Sequence, residues 1–351
     1  MKKILLYTSG SLGDILVLFP IMAGIRAKYP DAHITLLNKH KPTAAVSPID
    51  LALRAGYADG IRCVSKSSLK LWRFFSLFPY PGRRRYDLVF YLQRDGRMLA
   101  RKIARERRFF ERISREPVRG AVELAIPERA DGRCPRVGEL MLARINHGSS
   151  EPIVPGSHKI VFSAEESAAA DRMLAGFAFP ENAIPFAVCV GGKGSAAHWP
   201  LAKYATVLRK VCENTDGVPV FLGGAQDRDA ILAIMKELPA ERAFYADAAA
   251  NDLPLSLAVM SKLKFYLGND TGSIHMAAAA GLRCVGVCSS HDPAGLWYPL
   301  GEGHRILRCN PEPECAGCRK AECPFGTPSR CIDAITVDEV VDAVCAMLGR
   351  E

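Results

Sequence analysis

The segment Leu267-Gly268-Asn269-Asp270-Thr271-Gly272-Ser273-Ile274-His275 joins an apolar strand pattern to an Ala-rich helix pattern. A turn of this kind presents unpaired backbone N–H groups at the positive end of a helix, which is chemistry for a phosphate group. Gly272 lets the backbone approach a ligand, and Thr271 adds a hydroxyl donor. Asp270 accepts only when ionised, so it suits sugar hydroxyls rather than phosphate. His275 falls on the first turn, where it can face an anion. The competing reading is a plain cap, with Asp or Thr bonded to the helix's own N–H groups.

Three other loops pair glycine with polar groups after a strand. Gly10-Ser11-Leu12-Gly13-Asp14 sets one carboxylate between two glycines and a helix. Asp14 can take a proton from a substrate hydroxyl, and the helix end favours its ionised form. A helix cap is again the alternative. The dinucleotide pattern G-x-G-x-x-G is absent, which argues against NAD. Val190-Gly191-Gly192-Lys193-Gly194-Ser195, followed by Ala197-His198-Trp199-Pro200, can wrap a diphosphate. It lacks the G-K-[ST] ending of a P-loop. Leu222-Gly223-Gly224-Ala225-Gln226-Asp227-Arg228-Asp229 carries acids suited to ribose hydroxyls.

The elements that must position these loops alternate along the chain. Strands are expected at Lys3–Thr8, Ala32–Leu37, Ile61–Val64, Tyr86–Leu92, Phe186–Val190, Val218–Leu222, Ala243–Tyr245, Lys264–Leu267 and Cys284–Val287. Helices are expected after the first strand, with a break at Pro20, and at Ala202–Glu213, Asp229–Glu237, Leu253–Ser261, Ile274–Ala280 and Val337–Leu348. Repeated strand–helix–strand units mean parallel sheets covered on both faces. Residues 148–156, rich in Gly, Ser and Pro, are the best linker. The expected architecture is two doubly wound domains, 1–152 and 153–351, facing a central cleft, and the last helix can return to the first domain. In such sheets ligands sit beyond the carboxyl ends of the strands.

The chain has 351 residues, a composition of soluble globular type and no apolar run long enough to span a bilayer. Met1-Lys2-Lys3 and the apolar stretch after it resemble an export signal. Gly10, Gly13 and Asp14 interrupt that stretch and no small-residue cleavage site comes after it, so it reads as a buried strand and helix of a cytoplasmic protein. Of the net charge of +9, nearly all lies in residues 83–119, with thirteen Arg or Lys against five acids. The aromatic run Leu71–Tyr80 precedes it. Such a basic, aromatic region suits an anionic membrane surface or nucleic acid; a core helix and then a solvated basic helix is the plainer reading.

Taken together and in this order, the motifs resemble glycosyltransferase family 9, the ADP-heptose:lipopolysaccharide heptosyltransferases. The resemblance rests on Gly13-Asp14, Tyr86-Asp87-Leu88-Val89 with Gln93, His198-Trp199-Pro200, Leu222-Gly223-Gly224 and Asp270-Thr271-Gly272-Ser273-Ile274-His275. It implies a GT-B fold of two Rossmann-like domains, with the acceptor in the first and the nucleotide sugar in the second. It implies inverting, metal-independent transfer of a heptose from an ADP-sugar, with no cofactor required, to the inner core of lipopolysaccharide. Asp14 then matches the general base. Thr271 and Gly272 match the diphosphate positions, Asp270 a donor-sugar contact, and His275 the closing histidine. Gly192 and Lys193 join the donor site, and the ribose acid maps to Asp227 or Asp229. Many members carry a phosphate-binding lysine where this chain has Ala197; Lys193, four residues earlier, is its candidate replacement. Ser11, Gly13, Gln93, Arg94 and Arg97 are the candidate acceptor contacts. The expected partners are a nucleotide sugar and an acidic glycolipid at the inner face of the cytoplasmic membrane, with peripheral attachment and no nucleic acid.

Twelve cysteines are too few for a disulfide scaffold, and in a cytoplasmic protein they should be reduced. Cys315, Cys318, Cys323 and Cys331 have spacings that fit a structural zinc or iron–sulfur site, and equally fit packing thiols. Two other function classes stay open on residues alone. One is an NAD- or ADP-binding oxidoreductase; the other is a nucleic-acid-binding protein with a zinc module.

Overall fold

The computed structural model describes residues 1–8, 10–38, 48–63, 85–92, 108–122, 132–192, 197–247, 252–320 and 322–349. The chain divides into two compact units, Met1–His158 and Lys159–Glu351. Each is built on a wholly parallel sheet with helices, and the fold class is α/β with two Rossmann-like domains.

In the first unit β1 (Lys3–Thr8), β2 (His33–Asn38), β3 (Gly60–Cys63) and β4 (Leu88–Tyr91) lie in the order β3-β2-β1-β4. β1 is central, and Ile4, Leu5, Leu6 and Tyr7 are fully buried, as a strand covered on both faces requires. Tyr7 packs on Phe110 with ring centroids 4.6 Å apart. The helical pattern after β1 breaks where Pro20 demands. α1 (Leu12–Leu16) ends, and α2 (Phe19–Lys28) restarts with Pro20 in its first turn, where its missing N–H costs nothing. α3 (Pro48–Arg54) and α4 (Val137–Asn146) complete the unit's named helices. Residues 153–156 are held to this unit. The Asn146 side chain brackets Ile153, donating to its carbonyl at 2.9 Å and accepting from its N–H at 2.7 Å. The Gly156 N–H donates to the Pro20 carbonyl at 2.8 Å.

The second unit contains α5 (Ala164–Ala175), β5 (Ile184–Cys189), α6 (Leu201–Asn214), β6 (Gly217–Phe221), α7 (Arg228–Met235), β7 (Phe244–Tyr245), α8 (Leu253–Ser261), β8 (Tyr266–Asn269), α9 (Gly272–Ala279), β9 (Cys284–Val287), β10 (Arg305–Leu307), α10 (Arg330–Asp333) and α11 (Val337–Leu348). Its sheet order is β10-β9-β8-β5-β6-β7. The chain runs outward from β5 through β6 to β7, then returns to β8 on the other flank of β5. The carboxyl ends of β5 and β8 are therefore the switch point, where successive loops part and leave room for a ligand. Phe186 and Phe265 stack at 4.7 Å in the core beneath. α11 buries Val340, Ala343, Val344, Met347 and Leu348 on one stripe. That stripe lies on α6 and on β9 and β10. Among the described residues no helix is long and apolar enough to cross a membrane.

Strand β8 runs two residues beyond its expected end, through Gly268 and Asn269, paired in register with Gly286 and Val287. Asn269 is fully buried. Its Oδ1 accepts from the Trp199 N–H at 3.1 Å and from the Tyr204 hydroxyl at 2.9 Å. Its Nδ2 donates to the Val190 carbonyl at 2.8 Å. One amide thus ties the exit of β5 and the entry to α6 onto the end of β8. Asn269→Ala strands three buried polar groups, each worth about 1–3 kcal/mol when unsatisfied. We expect urea unfolding to show a loss of roughly 2–5 kcal/mol; a variant as stable as the parent contradicts this role.

Candidate active site

The loops at the switch point gather most of the donor residues expected from the sequence. Gly191 and Gly192 leave β5 between two neighbours. A Cβ on Gly191 would run into the Asp227 carboxylate, and one on Gly192 would overlap the Thr271 methyl. A side chain at either place would have to displace these neighbours. Asp227 accepts through Oδ2 from the Gly224 N–H at 2.9 Å and from the Gln226 side chain at 3.1 Å. Asp229 is exposed in the first turn of α7. Asp227 is therefore the acid brought against the β5 loop. Lys193 lies outside the described residues.

Thr271 stands at the N-cap of α9 without capping it. Its hydroxyl bonds Ser273 Oγ at 2.8 Å, and Ser273 Oγ bonds the Tyr266 hydroxyl at 2.7 Å. Burial drives the Tyr266 phenol well above its usual range, so it stays protonated. The Thr271 side chain makes no cap bond to the first N–H groups of α9. The helix start is left able to receive an anion. His275 is 5% exposed, 5.9 Å from the Trp297 ring. Burial, with His304 nearby, pulls its ring down to about 4, so near neutral pH it offers a neutral imidazole and no positive charge.

The structure explains Trp199 and Pro200 of the His198-Trp199-Pro200 segment as well. Trp199 is buried, donates from Nε1 to the Ile335 carbonyl at 3.1 Å and meets Tyr204 edge-on at 5.0 Å. Pro200 is the N-cap of α6. The tryptophan is thus an anchor that fixes the returning end of the β5 loop.

Sequence reasoning missed a polar cluster in the loop after β9. His291 bonds Ser289 Oγ through Nδ1 at 2.5 Å, and its Nε2 lies 3.2 Å from Asp292. Arg308 donates to the Ser289 and Asp292 carbonyls, each at 3.1 Å, and is itself held by Glu312 at 2.6 Å. The available signal was Ser289-Ser290-His291-Asp292, a polar loop directly after a buried strand. The cysteine segment serves this loop. Gly317 N–H donates to the Ser290 carbonyl at 2.7 Å and Arg319 N–H to the His291 carbonyl at 2.6 Å. Among the described residues no group of three or more His, Cys, Asp or Glu is placed to hold a metal ion. Cys315, Cys318, Cys323 and Cys331 are all described, and they form no such group.

In the first unit Asp14 is the third residue of α1. Its Oδ2 accepts from the Ser11 N–H at 2.8 Å and the Ser11 hydroxyl at 3.0 Å. These bonds fix the carboxylate and leave Oδ1 without a hydrogen bond among the described residues. Gly10 packs so closely on Asp14 that a Cβ would collide with it. Gly13 is buried, and Ser11 is exposed at the N-cap. Gln93, Arg94 and Arg97 lie outside the described residues, as does the run Leu71–Tyr80. Of the basic stretch, Arg115 pairs with Asp87 at 3.0 Å, and Arg119 lies 5.8 Å from the Phe90 ring centre.

Asp270 carries a testable pH dependence. Burial pushes its carboxyl up to about 6; His291 and Arg308 draw it down, and Asp292 pushes it further up. Such a group is more protonated folded than unfolded, so stability falls as pH rises. The loss begins near the ordinary value of 3.8 and is complete above about 6. Asp270→Asn is expected to raise the thermal midpoint over the parent at about pH 8 and to leave it nearly level at about pH 4. An equal shift at both pH values contradicts the assignment.

Residues 158–328 match the family model described as glycosyltransferase family 9 (heptosyltransferase). No curated protein matches the sequence. Among solved structures, a glycosyl transferase family 9 protein from Veillonella parvula aligns with a TM-score of 0.73 at 15% identity, covering 99% of this chain and 97% of that one. The ADP-heptose lps heptosyltransferase II of E. coli aligns at 0.64 and 17% identity, covering 99% and 98%. The E. coli heptosyltransferase WaaC with ADP-2-deoxy-2-fluoro heptose aligns at 0.62 and 14% identity, covering 97% and 98%. The fold is that of the heptosyltransferases across the whole chain, and the match over 158–328 takes in the loops after β5, β6, β8 and β9. The chain carries a glycosyltransferase family 9 domain, and it is a glycosyltransferase.

Proposed function

We propose that the protein moves a heptose from ADP-heptose to the inner core of lipopolysaccharide, with inversion and without a metal ion. The observation that carries this reading is the uncapped start of α9, with Gly191, Gly192 and Asp227 packed beside it. That arrangement suits a nucleoside diphosphate: N–H groups for the phosphates and a carboxylate for ribose hydroxyls. Two relatives of the same fold support the choice of sugar, one named for ADP-heptose and lipopolysaccharide and one bound to a fluorinated ADP-heptose.

Asp14 acts as general base through Oδ1. It takes the proton of an acceptor hydroxyl while that oxygen forms its bond to the anomeric carbon. The bond from that carbon to the β-phosphate oxygen breaks on the opposite face, and ADP leaves with the electron pair. The negative charge gathering on the diphosphate is met by the N–H groups around Thr271 and Gly272, with Lys193 as a further cation. Fixed donors that need no reorganisation carry the role a divalent ion would otherwise fill. Asp270 holds the sugar, and Asp227 holds the ribose in preference to Asp229. Ser11, Gly13, Gln93, Arg94 and Arg97 receive an acidic glycolipid, and the arginine-rich stretch holds the enzyme at the inner face of the cytoplasmic membrane.

The test is mass spectrometry of truncated lipopolysaccharide incubated with the protein and ADP-heptose. A gain of one heptose is expected. Asp14→Asn should bind ADP normally and lose about 10²–10⁴-fold in turnover. Near-normal turnover in that variant rejects Asp14 as the base, and no transfer by the parent rejects the substrate assignment.

A further inference from the structure

His198 is the one residue of the His198-Trp199-Pro200 segment that the fold leaves unexplained. Trp199 fills the core and Pro200 starts α6. The imidazole lies over the β5 loop at the place where Gly192 meets Thr271. A Cβ on Gly192 would be 3.0 Å from its Nε2 and 3.4 Å from its Cδ2, and would overlap the Thr271 methyl. Nε2 has no exposure to solvent and no hydrogen-bond partner among the described residues. The backbone beside it is pinned, because the very next N–H is the one tied to Asn269. A ring nitrogen so placed costs stability unless something enters to bond it. Nε2 faces Gly192 and Thr271, so it lies beside the first N–H groups of α9. Those groups favour an anion. Ala197, directly before the histidine, is buried and carries no charge to meet one.

We propose that His198 Nε2 is a donor to the diphosphate of the nucleotide sugar. It supplies from the side of the β5 loop the hydrogen bond that the helix start supplies from the other. The inference rests on the nucleotide-sugar reading above and adds to it a side chain that selects diphosphate over monophosphate.

Titration calorimetry with ADP and with AMP tests it on the parent, His198→Gln and His198→Phe. Gln keeps an N–H donor at a similar reach; Phe keeps the ring's bulk and removes the donor. The expected result is a loss of roughly 10- to 100-fold in ADP affinity for Phe, about the worth of a hydrogen bond to a charged group. Gln should stay within a few-fold of the parent, and AMP affinity should be nearly equal in all three. Thermal melts of the variants identify any loss due to misfolding, and the Gln variant then decides alone: a folded Gln variant with ADP affinity down by tenfold or more overturns the proposal. Parent-like ADP binding by the Phe variant overturns it too, leaving the nucleotide reading intact. A parent that binds neither nucleotide overturns both.

Discussion

The buried side chain of Asn269 joins the loop after β5, the start of α6 and the end of β8 in the second unit. A primary amide offers an acceptor and a donor at one end of a short stem, and here both are used inside the protein where water cannot substitute. Its partners, Val190 and Tyr204, are 79 and 65 residues away in sequence. The glycine pair begins directly after Val190, His198 directly precedes Trp199, and Asp270 and Thr271 come directly after Asn269. Fixing this one amide fixes the relative place of the two loops that meet at the β5/β8 switch.

The resulting site is made largely of backbone. Gly191 and Gly192 have no side chains because Asp227 and Thr271 occupy the space a Cβ would need. Thr271 spends its hydroxyl on Ser273, and Ser273 on Tyr266, so the hydroxyl chain runs into the core and the helix N–H groups are left for a ligand. Donors fixed before the ligand arrives lose no energy to reorientation when charge develops, which is the advantage of building an anion site from a helix end. Arg308 and the cysteine segment hold the β9 loop, and Asp270, raised first by burial, also feels His291, Asp292 and Arg308.

Much of this is legible in the sequence where one signal dominates. β1, α8, β9 and α11 have the expected bounds, because an apolar run with polar flanks or a capped helix start marks them clearly. The break in the first helix comes from Pro20. The sequence pattern ends β8 two residues short because Gly and Asn are poor strand residues; burial and pairing with β9 override that preference. α5 gives no periodic signal because it buries only Ala170, and β10 gives none because it is three residues long with an exposed arginine first. The four loop motifs are legible as strand-to-helix turns rich in glycine. The part played by Asn269 is not, because its partners are distant in sequence. Nor is the loop after β9, whose His291 and Asp292 match no short motif. The Asp14 carboxylate is visible as a cap, and the structure shows it bonded to Ser11 through a single oxygen.

The most direct measurement is a crystal structure of the protein with ADP bound. Diphosphate oxygens are expected within about 3 Å of the first N–H groups of α9, over Gly192, with the ribose toward Asp227. ADP seated away from the Gly192–Thr271 contact, with the start of α9 left bare, would contradict it.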